Sequence, residues 1–404
     1  MSFVFTRIFF YYLGVGFDYT PVFWSVQIIG PDLLDKHFLE SILNYWFYPI
    51  GLNIIIGLWI NIFIDTNCNN YYVCLATSLS SLKFFYLFLS YVSLLIFFKI
   101  LINLKINKKL ALFSTLILSL NPTFVLYENH LFYTSIIQLL ILSLILFLCN
   151  SIKYNKIFYI FLFFINILLL YFFRSYFNIF FFILSFLFII FIHKNNIKNV
   201  LYCIIVPMVF FIIILANNYR NSGYLFAQGL PWEAMTVKYK NILYNNSNDF
   251  SLESKNYNNI KLSTISKIEP WSDYKTYRNF IETSNNYNSA IILNRKYRFS
   301  KNQPNYNLPI YAKINNIRKD DFLKLIYSYP KALIYGYGHG ILNYLQPASS
   351  NHFLIDNYFK IQKYVQTYNH IVYLSLKKHS FDKTYYNNND FDFYQKINIK
   401  IKSI

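Results

Sequence analysis

Eight long apolar segments are the feature that most limits how this chain can fold. They cover residues 2–17, 48–64, 79–104, 110–127, 131–149, 157–173, 175–192 and 199–216. Several approach the roughly 20 apolar residues that an α-helix needs to cross a bilayer. The chain is also 55% hydrophobic, which is rare for a soluble domain. These patterns predict an all-α polytopic integral membrane protein.

The formal charge of +19 does not by itself indicate nucleic-acid binding. Lys, Asn, Ile, Phe and Tyr have AT-rich codons, so genome bias accounts for much of the Lys content. No basic stripe with interleaved stacking aromatics occurs outside the Lys- and Tyr-rich C-terminal tail. We therefore expect membrane lipids among the partners, and no nucleic acid.

The four cysteines fall into two groups. Cys149 and Cys203 belong to apolar runs, where cysteine usually acts as a small buried hydrophobe. Cys68 and Cys74 share the polar stretch "CNNYYVC", and an extracytoplasmic position would allow them to form a disulfide. The N-terminal stretch has no small-residue cleavage site and is interpreted as a retained first helix.

Positively charged loops predict the membrane topology, because cytoplasmic loops are rich in Lys and Arg. "KINKK" (105–109), "SIKYNK" (151–156) and "HKNNIK" (193–198) are separated from each other by two apolar segments each. All three therefore share the cytoplasmic side. The junctions at 127–131 and 173–176 are then outside, as is everything after 216.

The N-terminal part requires one apolar segment that does not cross, if Arg7 marks a cytoplasmic N-terminus. Segment 48–64 is interrupted by Pro, Gly and Asn and fits a half-inserted or interfacial helix. The result is a seven-span module at 1–216, with a long outer loop at 18–78 carrying juxtamembrane helices, and an extracytoplasmic domain at 217–404. The alternative has eight spans and an outside N-terminus.

In this topology several ionisable residues gather on the outer side. They are Asp18, Asp32, Asp35, Glu40, Glu128, His130 and Arg174. Each has an ordinary interpretation: Asp32 as a helix N-cap, Asp35 and Glu40 as solvated surface groups, Arg174 as a cation reaching the interface. Together they suit a phosphate-bearing lipid and a hydroxyl nucleophile, because Arg binds phosphate and a carboxylate can accept the hydroxyl proton.

This pattern resembles the GT-C-type membrane glycosyltransferases of the dolichyl-phosphate-mannose-protein mannosyltransferase-like and aminoarabinose-transferase-like superfamily. Members share a seven-span module with an acidic residue and juxtamembrane helices in the first outer loop. A second acidic residue follows the third span. Asp18 and Asp32 occupy the first place here and Glu128 the second.

A largely uncharacterised bacterial subgroup is more similar. The stretch "LLDKHFLESILNYWFYPIGLNIIIG" resembles its first loop, "NPTFVLYENHLFY" its "NP…YEN…FY" motif, and "FFRSYFN" its Arg-Ser segment. Weaker similarities lie in "GLPWEAM", "PNYNLP" and "YSYPKAL". The chain departs at Trp46, Tyr48 and Ile50, where His, Gln and Pro are usual, so a different substrate or a degenerate, inactive member stays open.

The resemblance implies an inverting transfer of a sugar from a polyprenyl-phosphate-linked donor to a glycan, lipid or protein, outside the cytoplasmic (inner) membrane. Asp18 or Asp32 would act as base, Glu128 would position the acceptor, and Arg174 would bind the lipid phosphate. The substrate-binding set is completed by Asn129, His130, Trp46 and Tyr48. No cofactor is assigned, and a divalent cation stays open because only some relatives use one. The alternatives are a transporter or flippase, a polymerase of lipid-linked glycans, and a non-catalytic scaffold.

Overall fold

The computed structural model describes residues 2–64, 70–174, 177, 179–223, 262–268, 272, 274–278, 290–298, 304–331, 334 and 354–372. Within these residues the regular structure is helical and no β-strand forms. The helices are α1 (Ser2–Tyr12), α2 (Pro21–Trp24), α3 (Pro31–Lys36), α4 (Phe38–Asn44), α5 (Gly51–Phe63), α6 (Tyr71–Asn103), α7 (Lys108–Ser119), α8 (Pro122–Glu128), α9 (Thr134–Tyr154), α10 (Ile157–Phe173), α11 (Ile179–Ile192), α12 (Ile197–Ser222), α13 (Tyr274–Arg278), α14 (Ile291–Asn294), α15 (Pro309–Ser328), α16 (Ile355–Lys360) and α17 (Gln362–Val372).

Three of the described helices, α6, α9 and α12, are long and apolar enough to cross a membrane. The pair α7 and α8, bent by 58°, adds a fourth if it is one broken span. The apolar helices α1, α5, α10 and α11 have 10–17 residues, and at about 1.5 Å per residue they are shorter than a hydrocarbon core of about 30 Å. The prediction of an all-α membrane protein is confirmed, whereas the described helices give three or four spans by length rather than seven.

The break between α7 and α8 follows from local sequence. Pro122 lacks an N–H and is favourable in the first turn of a helix, where no intrahelical acceptor is needed. Asn121 precedes it, and its side chain caps α8 by accepting a hydrogen bond of 2.8 Å from the Thr123 N–H. A new helix therefore starts where α7 stops.

The last carbonyls of α7 need other donors, since an unsatisfied backbone group is costly in a membrane. They are satisfied by distant side chains: Leu120 by the Tyr364 hydroxyl at 2.6 Å, Ile117 by the Tyr368 hydroxyl at 3.0 Å and Ser119 by Arg7 Nη1 at 2.8 Å. Both tyrosines belong to α17. The broken span is thus held by α1 and α17.

The chain divides into two compact units, of which the first comprises Met1–Ser25, Gly51–Val209 and Pro347–Ile404. Its helix α9 packs against both α6 and α10. One buried cluster includes Phe164, Phe182 and Cys203 from α10, α11 and α12. A second cluster joins α1, α8, α16 and α17 through residues such as Phe10 and Val125.

The second unit comprises Val26–Ile50 and Phe210–Gln346. In it α4 packs against α3 and α14, and α15 packs against α13 and the 3₁₀ turn Ile265–Lys267. Asn307 stabilises the turn that follows α4, because its side-chain oxygen accepts the N–H groups of Trp46 and Phe47 at 2.9 and 3.2 Å. Its side-chain nitrogen donates to the Asn44 carbonyl at 3.2 Å.

These units do not coincide with the predicted division at 216/217. That division concerns which residues face water, whereas the units reflect packing, so it remains a prediction. Of the cysteines, Cys74 is disulfide-bonded and Cys203 is a buried free thiol. Cys149 is a free thiol too, but it is only half-buried. Cys68 and the "GLPWEAM" stretch lie outside the described residues.

Candidate functional site

The candidate site begins where the segment after α1 meets the segment after α8. The Asp18 N–H donates to the Asn129 carbonyl at 2.8 Å, and the Leu131 N–H donates to the Asp18 carbonyl at 2.8 Å. This isolated bridge aligns Asp18 with His130. Their side chains then meet, with Asp18 Oδ2 and His130 Nδ1 3.2 Å apart. An acid from the predicted first outer loop is thereby fixed beside the "YEN" segment.

The Asp18 carboxyl group is only partly buried and is held by polar partners. Burial raises its pKa, but the hydrogen bond and charge of His130, together with hydrogen bonds from Thr20, outweigh that effect and leave the pKa below its ordinary value. The Thr20 N–H donates to Asp18 Oδ1 at 2.9 Å. The group is therefore ionised at neutral pH and can accept a proton, with His130 fixing its orientation.

Glu128 has a different environment, because its carboxylate faces Arg7. Arg7 Nε lies 2.8 and 3.0 Å from the two carboxylate oxygens, and Nη2 lies 2.5 Å from Oε2. The two side chains are 9% and 0% exposed. The third nitrogen, Nη1, donates to Thr6 and Ser119. Glu128 thus forms a buried, forked ion pair that links α1, α7 and α8.

This ion pair corrects part of the topology prediction. The topology prediction puts Arg7 at the cytoplasmic end of the first span and Glu128 at an outer junction. Contacts of 2.5–3.0 Å put both groups at one depth, so Arg7 and Glu128 cannot mark opposite sides of the membrane. The eight-span alternative fails for a related reason, since it separates Asp18 from His130 by the membrane while the two are bridged.

The remaining predicted residues of the first unit lie on the same segment or beside it. Asn129 is buried, and its side-chain nitrogen donates to the Val125 carbonyl at 2.9 Å, which caps the end of α8. Arg174 follows α10, and its guanidinium lies over the Tyr133 ring, 4.7 Å from the centroid. Tyr133 is three residues beyond His130. Arg174 therefore lies near the bridged segment, half-buried and stacked on an aromatic ring.

Asp32 belongs to the second unit. The N-cap position of α3 is occupied by Gly30, and Asp32 lies in the first turn, so the N-cap interpretation of Asp32 is wrong. Its carboxylate instead pairs with Arg295 at 2.5 Å, and both side chains are 30% exposed. Asp32 is therefore already neutralised by a cation from the polypeptide.

Glu40 and Asp35 were interpreted as solvated surface groups. Both are partly buried. Glu40 Oε1 accepts the Ile291 N–H at 2.9 Å, and its other oxygen lies 3.4 Å from His37 Nδ1. Glu40 therefore ties α4 to α14.

Trp46 and Tyr48 stand where the similar subgroup has His and Gln. Trp46 is 1% exposed, and its indole N–H donates to the Asn307 carbonyl at 2.7 Å. It stabilises the second unit and its donor is occupied, so we leave it out of the proposed site. Tyr48 is half-buried and packs edge-on against Phe47 with ring centroids 4.7 Å apart.

The sequence does not decide whether a metal binds, and the described residues contain no group of three His, Cys, Asp or Glu side chains that could hold an ion.

Comparisons with known proteins place no further constraint on these residues. No family model, curated protein or solved structure matches the chain. The similarity to GT-C-type enzymes therefore rests on the sequence motifs alone.

Arg7 is the residue of the site that the sequence interpretation missed. The signal was present, because Arg7 is the one charge within the apolar helix "SFVFTRIFFYY". Ionisable residues in such helices usually face a partner inside the protein. Arg7 is therefore the ion-pair partner of Glu128 and not merely a marker of topology.

Proposed function

We propose that this chain is an inverting membrane glycosyltransferase. It moves a sugar from a polyprenyl-phosphate-linked donor to a hydroxyl of a glycan, lipid or protein. The side that carries Asp18, Glu128 and His130 faces the outside of the cytoplasmic membrane. The membrane module is GT-C-like and is followed by a C-terminal extracytoplasmic domain, and Arg7 lies at the outer level beside Glu128.

The observation that carries the proposal is the bridge between Asp18 and His130. The resemblance requires a first-loop acid near a second acid that follows the third span. Asp18 is held by backbone bonds to Asn129 and Leu131, directly after Glu128 in the chain. Two acids that are 110 positions apart in the sequence are thus brought to neighbouring segments.

The proposed mechanism is a single displacement. The acceptor hydroxyl oxygen attacks the anomeric carbon while the bond from that carbon to the phosphate oxygen breaks, and the bonding electrons leave with the lipid phosphate. Asp18 accepts the hydroxyl proton, which suits an ionised carboxylate oriented by His130. Arg174 binds the leaving phosphate through its planar guanidinium.

Asp18 is preferred to Asp32 as the base because of their partners. Asp32 pairs with the permanently charged Arg295 at 2.5 Å, so its carboxylate is already engaged by a cation of the protein. Asp18, in contrast, has no arginine partner among the described residues and lies beside the imidazole of His130, with 3.2 Å between Oδ2 and Nδ1. Glu128 serves to hold α1, α7 and α8 through Arg7, and so positions the segment that carries His130.

A transporter of lipid-linked glycans is the second candidate, favoured by the broken span α7–α8. Transporters often bind substrate at the exposed ends of discontinuous helices. Here the last carbonyls of α7 already accept hydrogen bonds from Tyr364, Tyr368 and Arg7. The occupied helix end favours the enzyme.

Transfer can be tested without knowing the sugar, by using the lipid extract of the source membranes as donor. Purified wild-type protein should release free polyprenyl phosphate from it in the presence of a matching glycan extract. Asp18→Asn should reduce the rate by about 10²–10⁴-fold, the usual contribution of a general base. Asp35→Asn is the matched control and should retain the rate. Equal rates in the two variants would remove Asp18 from the mechanism.

A further inference from the structure

A cavity of about 260 Å³ lies in the first unit, between α1, α6 and α8. Most of its walls are apolar, and Val4, Ile8 and Phe10 of α1 contribute to them. Val4 and Ile8 are more than half exposed. In an apolar helix of a membrane protein such side chains face lipid, so the cavity is reached from the acyl-chain region.

The charged groups that line this cavity do not balance. Arg7, Lys83 and Glu128 are all present, so two cations face one carboxylate, which is forked to Arg7 and lies within electrostatic reach of Lys83. Lys83 makes no ion pair within 4.0 Å among the residues that the structure describes. Its ammonium group lies 4.7 Å from the centre of the Tyr11 ring. One positive charge is left over in a largely apolar space.

The position of Lys83 makes this surplus costly. Lys83 is the thirteenth residue of α6, which begins at Tyr71 and is long enough to cross the membrane. Cations in such helices usually have a counter-charge or mark a binding site. The chemistry that complements a single cation in an apolar cavity open to lipid is an anionic headgroup with hydrocarbon tails.

We propose that this cavity binds an anionic phospholipid of the surrounding bilayer. Its phosphate lies beside Lys83, and its acyl chains lie against the exposed face of α1 that carries Val4 and Ile8. The Tyr11 ring covers the ammonium group from the other side. Glu128 and Asn129 of the candidate site also line this cavity, but the assignment does not rest on the proposed glycosyl transfer, since it concerns lipid binding at Lys83 and not the reacting sugar.

The test compares lipids on the purified full chain. Native mass spectrometry and thermal unfolding are measured in neutral detergent with phosphatidylglycerol or with zwitterionic phosphatidylcholine. The wild type should retain phosphatidylglycerol in the mass spectrum in preference to phosphatidylcholine. Its unfolding temperature should also rise more with phosphatidylglycerol than with phosphatidylcholine. Lys83→Gln should weaken phosphatidylglycerol binding by about tenfold or more, the loss expected for one charge-assisted contact. Lys83→Arg should largely preserve it.

Lys99→Gln is the matched control, because Lys99 is an exposed lysine on the same helix outside the cavity. It should bind phosphatidylglycerol like the wild type. If the wild type does not discriminate between the two lipids, or if Lys83→Gln and Lys99→Gln behave alike, the proposal is overturned. The proposal is equally overturned if farnesyl phosphate or inorganic phosphate binds at Lys83 and phosphatidylglycerol does not. The comparison of the two lipids on the wild type can overturn the proposal by itself, so the test does not depend on the folding of a variant.

Discussion

The forked pair of Arg7 and Glu128 allows a quantitative prediction about the stability of the first unit. Breaking a buried ion pair by removing one partner typically costs about 3–5 kcal/mol, because the other charge is left without compensation. The carboxylate is 0% exposed and makes three contacts of 2.5–3.0 Å with the guanidinium. We therefore expect the loss of either partner to lower the free energy of unfolding by about 3–5 kcal/mol.

The two single variants should differ in a defined direction. In Glu128→Gln the guanidinium stays charged, because Arg does not lose its proton in proteins. The loss should be near 5 kcal/mol. In Arg7→Gln the carboxylate can bind a proton and become neutral, so the loss should be nearer 3 kcal/mol and should shrink at acidic pH. The double variant should lose less than the sum of both, with a coupling energy of about 2 kcal/mol or more.

Unfolding in mixed micelles by titration with a denaturing detergent, followed by tryptophan fluorescence, would measure these free energies. Glu40→Gln is the matched control, since its carboxylate is 38% exposed in a longer contact with His37, and it should lose less than about 1 kcal/mol. Single variants within about 1 kcal/mol of the wild type, or strictly additive losses, would refute the reasoning.

Four further predictions concern other contacts of the site. The pKa of Asp18 is lowered from the ordinary value of 3.8, so its basic form is lost only below that pH. In a pH–rate profile, the rate of transfer should therefore stay level as the pH falls towards 3.8 and should drop only below it. Arg174→Lys should lose most activity if the planar fork binds phosphate, and full activity in a transfer assay would exclude that role. Tyr364→Phe should cost about 1 kcal/mol of stability by removing the donor to Leu120, as measured in the detergent titration. Asp32→Asn should cost less than about 1 kcal/mol and leave the transfer rate intact, because its pair with Arg295 is partly exposed.

The helical membrane class could be predicted from the sequence because long apolar runs have few alternatives. The number of helices that cross the membrane could not be predicted from apolar runs in the same way. Apolar runs such as 110–127 are continuous in composition, but Asn121 and Pro122 divide this one into two helices. A single proline with a preceding cap changes the direction of the chain within a segment that is apolar overall.

Part of the site could also be predicted. Glu128, Asn129 and His130 are recognisable because polar residues at the end of an apolar run are unusual, and the structure joins Asn129 and His130 to Asp18. The partners Arg7 and Arg295 could not be read from local patterns. Arg7 is 121 positions from Glu128 and Arg295 is 263 positions from Asp32. Such pairs depend on tertiary packing, which the local sequence does not specify.

Asp32 and Trp46 show the limits of motif comparison. Asp32 occupies an acidic position that the resemblance assigns to catalysis, yet Arg295 neutralises it. Trp46 replaces a usual His, and its size and buried indole N–H suit a packing position. A position in a motif therefore does not fix a role when the side chain itself has changed or has acquired a new partner.

The most direct test of the central claim is the lipid composition of cells that lack this chain. Polyprenyl-phosphate-linked sugars are extracted from the membranes and measured by mass spectrometry in cells complemented with wild type, Asp18→Asn or Asp35→Asn. The account predicts that a lipid-linked sugar accumulates without the chain and with Asp18→Asn, and returns to its normal level with the wild type and Asp35→Asn. Unchanged levels of every polyprenyl-phosphate-linked sugar in all four strains would contradict it.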